Sequence, residues 1–225
     1  MKNLSIIVLC YNKYNFTKSC LSDLSKLPET VELIFFDNGS TDETQKELQH
    51  NPRIKYIRSD VNLGFAAGCN KSYQVANSSN ILFLNNDIRV KNNDDWTLPI
   101  IDELNKNEPV LIGPTMGQLD NNFNFIQEAN KVLTGNVYMS GWCLAGTKTT
   151  FNKLIEPPSQ GPFCEDYFVY FDDTHMGFLS RKLGIQFKII EVPIVHFGKV
   201  SSKQLNTHQL YQQARKIFIS KWKSQ

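Results

Sequence analysis

The sequence predicts an α/β fold, a central and mainly parallel sheet flanked by helices. Short apolar runs of strand length alternate through the first half with amphipathic stretches near helical spacing, the order that parallel crossovers produce. Several of these runs stop abruptly at loops rich in Asn and Asp. No Gly/Ser-rich or Pro-rich stretch divides the 225 residues, so one domain with one sizeable core is expected.

Residues 4–9 form the first strand candidate, apolar but for Ser5, and run into polar Tyr11-Asn12-Lys13. Phe16, Cys20, Leu21, Leu24 and Leu27 then recur close to helical spacing until Pro28 ends the stretch. Residues 31–36 are the second strand, and Ser40-Thr41-Asp42-Glu43 offers N-cap chemistry to a helix through about Gln49. A third strand at 54–57 precedes a helix over 64–76 built on small residues. The fourth strand, 81–84, stops at Asn85-Asn86-Asp87. The second half is less regular: a strand at 110–113, a polar, Asn-rich loop or irregular hairpin at 118–136, and a strand at 138–145. A helix over 174–183, a last strand over 187–192 closed by Pro193, and a terminal helix over 204–222 complete the prediction.

With 41% hydrophobic, 12% aromatic and 20% charged residues the chain has ordinary globular composition, which excludes disordered and fibrous classes. A net charge of +2 is too small for a general nucleic-acid binder, so no nucleic-acid partner is expected. The five cysteines are odd in number and form no C-x-x-C pair, which points to reduced thiols rather than disulfides or a zinc knuckle. The apolar run 4–9 is too short for a signal-peptide core or a bilayer span, and a cytoplasmic location is the expectation.

Polar clusters follow each of the first four strand candidates: Cys10-Tyr11-Asn12, Asp37-Asn38-Gly39-Ser40, Asn62-Leu63-Gly64 and Asn85-Asn86-Asp87. A parallel sheet gathers such clusters at its carboxyl edge, where open α/β sheets keep their ligands. Asp87 there either holds a hard divalent cation that grips a diphosphate or sits solvated in a turn. Asp37 likewise reads as a ligand contact or as an Asx turn before Ser40.

In order and spacing, these blocks resemble the family-two inverting glycosyltransferases. The resemblance rests on residues 5–12, 36–42, 62–70 and 84–87, and continues through 162–173, 192–196 and 211–221, nearly the whole chain. Within the family it is most similar to bacterial rhamnosyl- and galactofuranosyl-transferase-like members that build surface polysaccharides. The resemblance implies a GT-A fold, with residues 1–113 as a nucleotide-sugar-binding half, 114–203 as an acceptor-binding half and 204–225 as a C-terminal helix. It implies that Tyr11, Asn12 and Asp37 contact base and ribose of a UDP- or dTDP-linked donor, Asp37 meeting the pyrimidine imide, with Asn62 and Gly64 beside the diphosphate. Asn85-Asn86-Asp87 corresponds to the family's metal-binding block, with Asn85 in the first acidic position, so Asp87 and His196 are the expected ligands of Mn2+ or Mg2+. A lone histidine after Val-Pro-Ile-Val equally fits a strand-end packing role.

By the same correspondence Asp173 is the general base and Asp172 takes the place of a glutamate, although two carboxylates at a helix start also complement the helix dipole. His175 stands where relatives carry a second acid, as an alternative ligand. Ser140-Gly141-Trp142 and the run Glu165 to Phe171 offer acceptor surfaces, with Trp142 and Glu165 as the named contacts. Lys203, Arg215, Lys216, Lys221 and Lys223 give the terminal helix a basic face, either solvated or laid on an anionic inner membrane surface where lipid-linked acceptors reside. Two rivals remain: a sugar-phosphate nucleotidyltransferase, disfavoured because 7–12 is neither Gly-rich nor basic, and a nucleotide-sugar-binding subunit without turnover.

Overall fold

A computed structural model describes residues 2–92, 94–106, 108–198 and 206–223. In chain order its first elements are β1 (Leu4–Cys10), α1 (Tyr14–Leu24), β2 (Val31–Asn38), α2 (Thr44–Leu48), β3 (Lys55–Ser59), α3 (Phe65–Val75) and β4 (Asn80–Asn85). There follow β5 (Ile88–Val90), α4 (Leu98–Leu104), β6 (Val110–Gly113), β7 (Met116–Leu119), β8 (Phe125–Ala129), β9 (Asn136–Met139) and β10 (Cys143–Thr147). The last are α5 (Lys148–Asn152), α6 (Asp172–Lys182), β11 (Gln186–Ile189), β12 (Ile194–His196) and α7 (Thr207–Trp222).

Seven strands make the main sheet in the order β11-β6-β10-β4-β1-β2-β3. Every pairing is parallel except those of β10, which runs antiparallel to β4 and β6. The alternation of side chains sorts the core: Leu33 and Phe35 enter one apolar cluster with α1 and α4, while Ile34 enters the other with α3 and Phe83. Burial on both faces is why β1 and β2 read as largely apolar runs, broken only by Ser5 in β1 and by Glu32 and the terminal Asp37-Asn38 in β2. Each buried Phe of this sheet contributes about 1.5–3 kcal/mol by area. All five cysteines are buried thiols.

The expected mainly parallel sheet with flanking helices is present, and the differences lie beyond β4. The polar stretch 118–136 is the irregular hairpin β7–β8, with a register shift at Gln118/Leu119, and β9 completes its small sheet. The strand expected over 138–145 is two strands, β9 and β10, broken at Ser140-Gly141-Trp142. That break delivers Trp142 to the sheet's carboxyl edge. The last strand also divides, into β11 and β12, and β12 pairs with β5 beyond the main sheet. Helix α4 was not expected; Pro99 in its first turn is the start signal for it. Lys203 and the first residues of the expected terminal helix, 204 and 205, lie outside the described residues.

Candidate active site

Parallel pairing of β1 and β2 sets their following loops side by side, and side-chain hydrogen bonds join them. Asn12 and Lys13 are both left-handed, with φ 52° and 58°. The Asn12 N–H donates to Ser40 Oγ at 2.9 Å, and Thr41 N–H donates to Asn12 Oδ1 at 2.8 Å. With Tyr14, Asp42 and Lys46, these loops line an open depression of about 890 Å³. Behind them lies Asp37, fully buried. Its Oδ1 accepts from Ser40 N–H at 2.8 Å; its Oδ2 accepts from Tyr56 at 3.0 Å and pairs with Arg58. Burial, then the bond to Asp37, pushes the Tyr56 hydroxyl up to about 12, so it stays a donor. Asn38 fixes the next loop, donating to Asn62 Oδ1 and Gly64 O and accepting from Leu63 N–H. Gly64 has φ 86°, and a Cβ there would lie 2.5 Å from Phe168 O. No other residue fits that approach without displacement.

At the end of β4, Asn85 and Asp87 meet a residue 109 positions beyond Asp87. Pairing of Ile88 with His196 across β5 and β12 brings His196 Nε2 to 3.1 Å from Asp87 Oδ1 and 3.3 Å from Asn85 Nδ2. Asp87 Oδ1 is buried and takes no hydrogen bond among the described residues. An orphaned carboxylate oxygen beside an imidazole nitrogen and an amide is a donor set suited to Mn2+ or Mg2+. Trp142 stacks on the His196 ring with centroids 4.6 Å apart and planes 10° apart.

From this cluster a cleft of about 870 Å³ extends to the start of α6, lined by Asn85, Trp142, Asp172, Asp173, His196 and Tyr211 among others. Tyr170 and Phe171 are left-handed, φ 68° and 62°, and this strained turn aims the first residues of α6 at the cleft. Asp173 Oδ2 accepts from Gly141 N–H at 3.0 Å, and Oδ1 accepts from Thr174 N–H at 2.7 Å. A Cβ on Gly141 would lie 3.1 Å from Asp173 Cβ, so the absent side chain admits the carboxylate. Burial raises both acids above the ordinary carboxylate range, Asp172 also through the neighbouring charge of Asp173, and the donors on Asp173 oppose the rise there. The two carboxyls therefore titrate as a coupled pair, and Asp173, which accepts from Gly141 and Thr174, is the one whose charged form is supported by hydrogen bonds from outside the pair.

A family model described as glycosyl transferase family 2 matches residues 5–177. The chain belongs to glycosyl transferase family 2. No curated protein matches it. Among solved structures it is similar to the mannosyltransferase PcManGT from Pyrobaculum calidifontis, in complex with GDP-Man and Mn2+, at 15% identity and TM-score 0.56 over 84% of this chain and 54% of that one. It is also similar to S. aureus TarS residues 1–349 in complex with UDP-GlcNAc, at 23% identity and TM-score 0.41 over 50% and 33%. The chain thus spans a third to about half the length of these structures. The likeness to the mannosyltransferase bears out the GT-A fold.

Of the residues expected at this family-2 site, Asn85, Trp142, Asp172, Asp173 and His196 line one cleft, with Asp87 directly behind His196. Asn12 lines the open depression; Tyr11, Asn62 and Gly64 lie on adjoining loops of the same edge. Three expectations need correction. Asp37 has no exposed surface for a base, because both its oxygens are held by Ser40, Tyr56 and Arg58. Asn86 turns inward and donates to Thr17 Oγ1 at 2.9 Å. Glu165 does not line the cleft; it accepts from Asn70 at 2.8 Å and braces the loop against α3. His175 also faces away, beneath α7. Glu156, Cys164 and His175 bring ligand-type atoms within 4.8 Å of one another. Trp222 Nε1–H donates to His175 Nδ1 at 3.0 Å, so the ring proton sits on Nε2, 2.6 Å from Glu156 Oε2. Both nitrogens are committed, and the cluster is a packing contact that ties the segment between α5 and α6 to α6, with Trp222 of α7 on its far side. Sequence reasoning missed Arg58 and Asn38, and also Glu128 and Thr115, which both bond the Trp142 indole. Nothing in their local sequence marks the last two.

Proposed function

We propose that this chain is an inverting, metal-assisted glycosyltransferase. It moves a hexosyl or deoxyhexosyl unit, with rhamnosyl or galactofuranosyl transfer as the nearest models, from a UDP- or dTDP-linked donor to a glycan or lipid-linked acceptor in cell-surface polysaccharide synthesis. The supporting observation is that one cleft joins the Asp87–His196 pair to the Asp173 carboxylate. On this reading residues 1–113 hold the donor and 114–203 the acceptor within one domain. Asn12, Tyr11, Asn62 and Gly64 face the nucleotide, and Asp37 acts from behind through Arg58.

Asp87 and His196, with Asn85 beside them, would hold Mn2+ or Mg2+, which when bound supplies Lewis-acid neutralisation of the departing diphosphate. Asp173 takes the proton of the acceptor hydroxyl as its oxygen bonds the anomeric carbon, and the bond to the nucleoside diphosphate breaks in the same displacement. Gly141 N–H and Thr174 keep that carboxylate in place.

No helix among the described residues is long and apolar enough to cross a membrane. Peripheral contact of α7 with the inner membrane surface, at a cytoplasmic site, is supported by exposed Lys216 and Lys223. Arg215 and Lys221 are engaged with Asn122 and Asp166.

A thermal-shift screen of nucleotide sugars with and without Mn2+ tests the reading. A donor at 100 times its Kd adds about 2.7 kcal/mol, roughly 5–10 °C for a chain of this size. Asp87→Ala should lose the metal-dependent part of the shift, and Asp173→Asn should keep the shift while losing transfer. No shift from any nucleotide sugar, or transfer by Asp173→Asn at the wild-type rate, would refute it.

A further inference from the structure

Three carboxylates line the cleft: the adjacent Asp172 and Asp173, and Glu128, which has no part in the transfer just described. It stands on β8, opposite Gly117 of β7, and its side chain is exposed to the cleft. Yet it is held. Its Oε1 accepts from Thr115 Oγ1 at 2.6 Å and from Trp142 Nε1 at 2.9 Å. Two donors on one oxygen fix a side chain that exposure would otherwise leave among several rotamers. Its Oε2 takes no hydrogen bond among the described residues, so the carboxylate is anchored by one atom and presents the other.

The rest of the lining points the same way. Among the described residues the cleft carries no lysine or arginine; its carboxyl and imidazole groups are Asp172, Asp173, Glu128, His196 and His208. Phe125, Trp142 and Tyr211 supply flat apolar surface suited to the CH faces of a sugar ring. An anionic unit entering here would lose water, meet Asp173 and Glu128, and find no lysine or arginine among the described lining residues to replace that water. A hydroxyl or ammonium group would find a preorganised acceptor in Glu128.

We propose, on the transferase reading above, that Glu128 determines acceptor specificity: its Oε2 receives a hydrogen bond from a neutral or amino-bearing sugar unit, and the acidic lining turns away units bearing a carboxylate. The acceptor terminus is therefore a neutral sugar or an amino sugar rather than a uronic acid.

Ligand-observed NMR titration of the full chain with p-nitrophenyl glucoside, glucosaminide and glucuronide, and their galacto and manno counterparts, tests this. In the wild type the uronide of the best-bound series should bind about tenfold more weakly than its neutral partner, well below the penalty of a buried like-charge contact because Glu128 is exposed to solvent. Glu128→Lys should erase or invert that ratio. Glu128→Gln keeps an oxygen for Trp142 and Thr115 and should remove only the preference for the amino sugar. Equal binding of uronide and neutral sugar in the wild type, a ratio unmoved by both substitutions, or no saturable binding in any series overturns the assignment. The donor thermal shift does not involve Glu128, so its failure refutes the transferase reading separately.

Discussion

Arg58→Met decides whether Asp37 is an internal brace or a ligand contact. The Asp37 side chain is 0% exposed and Arg58 22%, so the pair is buried on the acid's side and reaches water on the other. Methionine keeps the apolar stem and removes the guanidinium, together with its 3.0 Å bond to Ser40 O. Asp37 would then retain Ser40 N–H and Tyr56 as donors but no cation. Removing one partner of a buried pair costs about 3–5 kcal/mol, and the two surviving donors and the wet face of Arg58 set the lower end, about 3 kcal/mol. At 2–4 °C per kcal/mol this is a fall in Tm of about 6–12 °C. Urea unfolding followed by fluorescence and circular dichroism measures it, provided the two transitions coincide. Adding Asp37→Asn should restore more than half of the loss, because the remaining amide needs no counter-charge. A loss under about 1 kcal/mol for Arg58→Met would mean that the carboxylate is hydrated, and would return it to the base-contact role that family resemblance implies.

Three further outcomes follow from the geometry of α6. Gly141→Ala sets a Cβ 3.1 Å from Asp173 Cβ, so turnover should fall about tenfold with under about 1 kcal/mol lost in stability, read from kcat beside Tm; unchanged kcat refutes the placement. Asp172 is raised in the folded state by burial and by Asp173, so the stability it contributes is full below the ordinary carboxylate pKa and is lost as pH rises through the raised value. Asp172→Asn should therefore outlast the wild type in urea at pH 8 but not at pH 4, by about 1.4 kcal/mol per unit of the shift; parallel pH curves refute it. His175 is lowered, chiefly by burial, so its stability is present above about pH 6.5 and is lost as pH falls below that value. Trp222→Phe should cost about 1–2 kcal/mol at pH 7.5 by removing the Nδ1 donor, and added Zn2+ should leave the wild-type Tm unmoved; a zinc-dependent rise would convert the Glu156–Cys164–His175 cluster into a metal site.

How far the chain could be read depended on whether a signal was local. The strands β1, β2 and β4 were legible because burial on both faces leaves apolar runs that end in polar turns, and the carboxyl edge follows from parallel order. Asp173 and His196 were legible only through the family pattern, since a short acidic helix start and a lone histidine each have an ordinary structural use. Asp37 was misjudged because its neutralising partner, Arg58, arrives from the next strand 21 residues later, and no spacing rule links them. Glu165 and Asn86 failed alike: each is taken up by a bond that braces a helix, Asn86 by buried Thr17 of α1 and exposed Glu165 by Asn70 of α3. The split of 138–145 was hidden because Tyr, Met, Trp and Cys keep the apolar count high across a turn where backbone pairing stops.

Trp142 links the two sides of the cleft. Its indole N–H is held by Thr115 and Glu128, from β7–β8 and the segment before it, while its ring lies flat on His196, which faces Asp87. Its backbone carbonyl also accepts from Asn85 N–H at 2.8 Å, at the metal-type cluster. One residue thus touches the β7–β8 hairpin through its edge and His196 and Asn85 through its face and backbone. A stacked imidazole cannot rotate about χ2 without unstacking, so the orientation of His196 is tied to the hairpin. The break between β9 and β10 makes this geometry available: a continuous strand over 138–145 would have kept Trp142 in the sheet, and Asp173 would have lost the Gly141 N–H that holds it. The irregular segment in the second half is therefore what sets Asp173, the β7–β8 hairpin and the Asp87–His196 cluster in register.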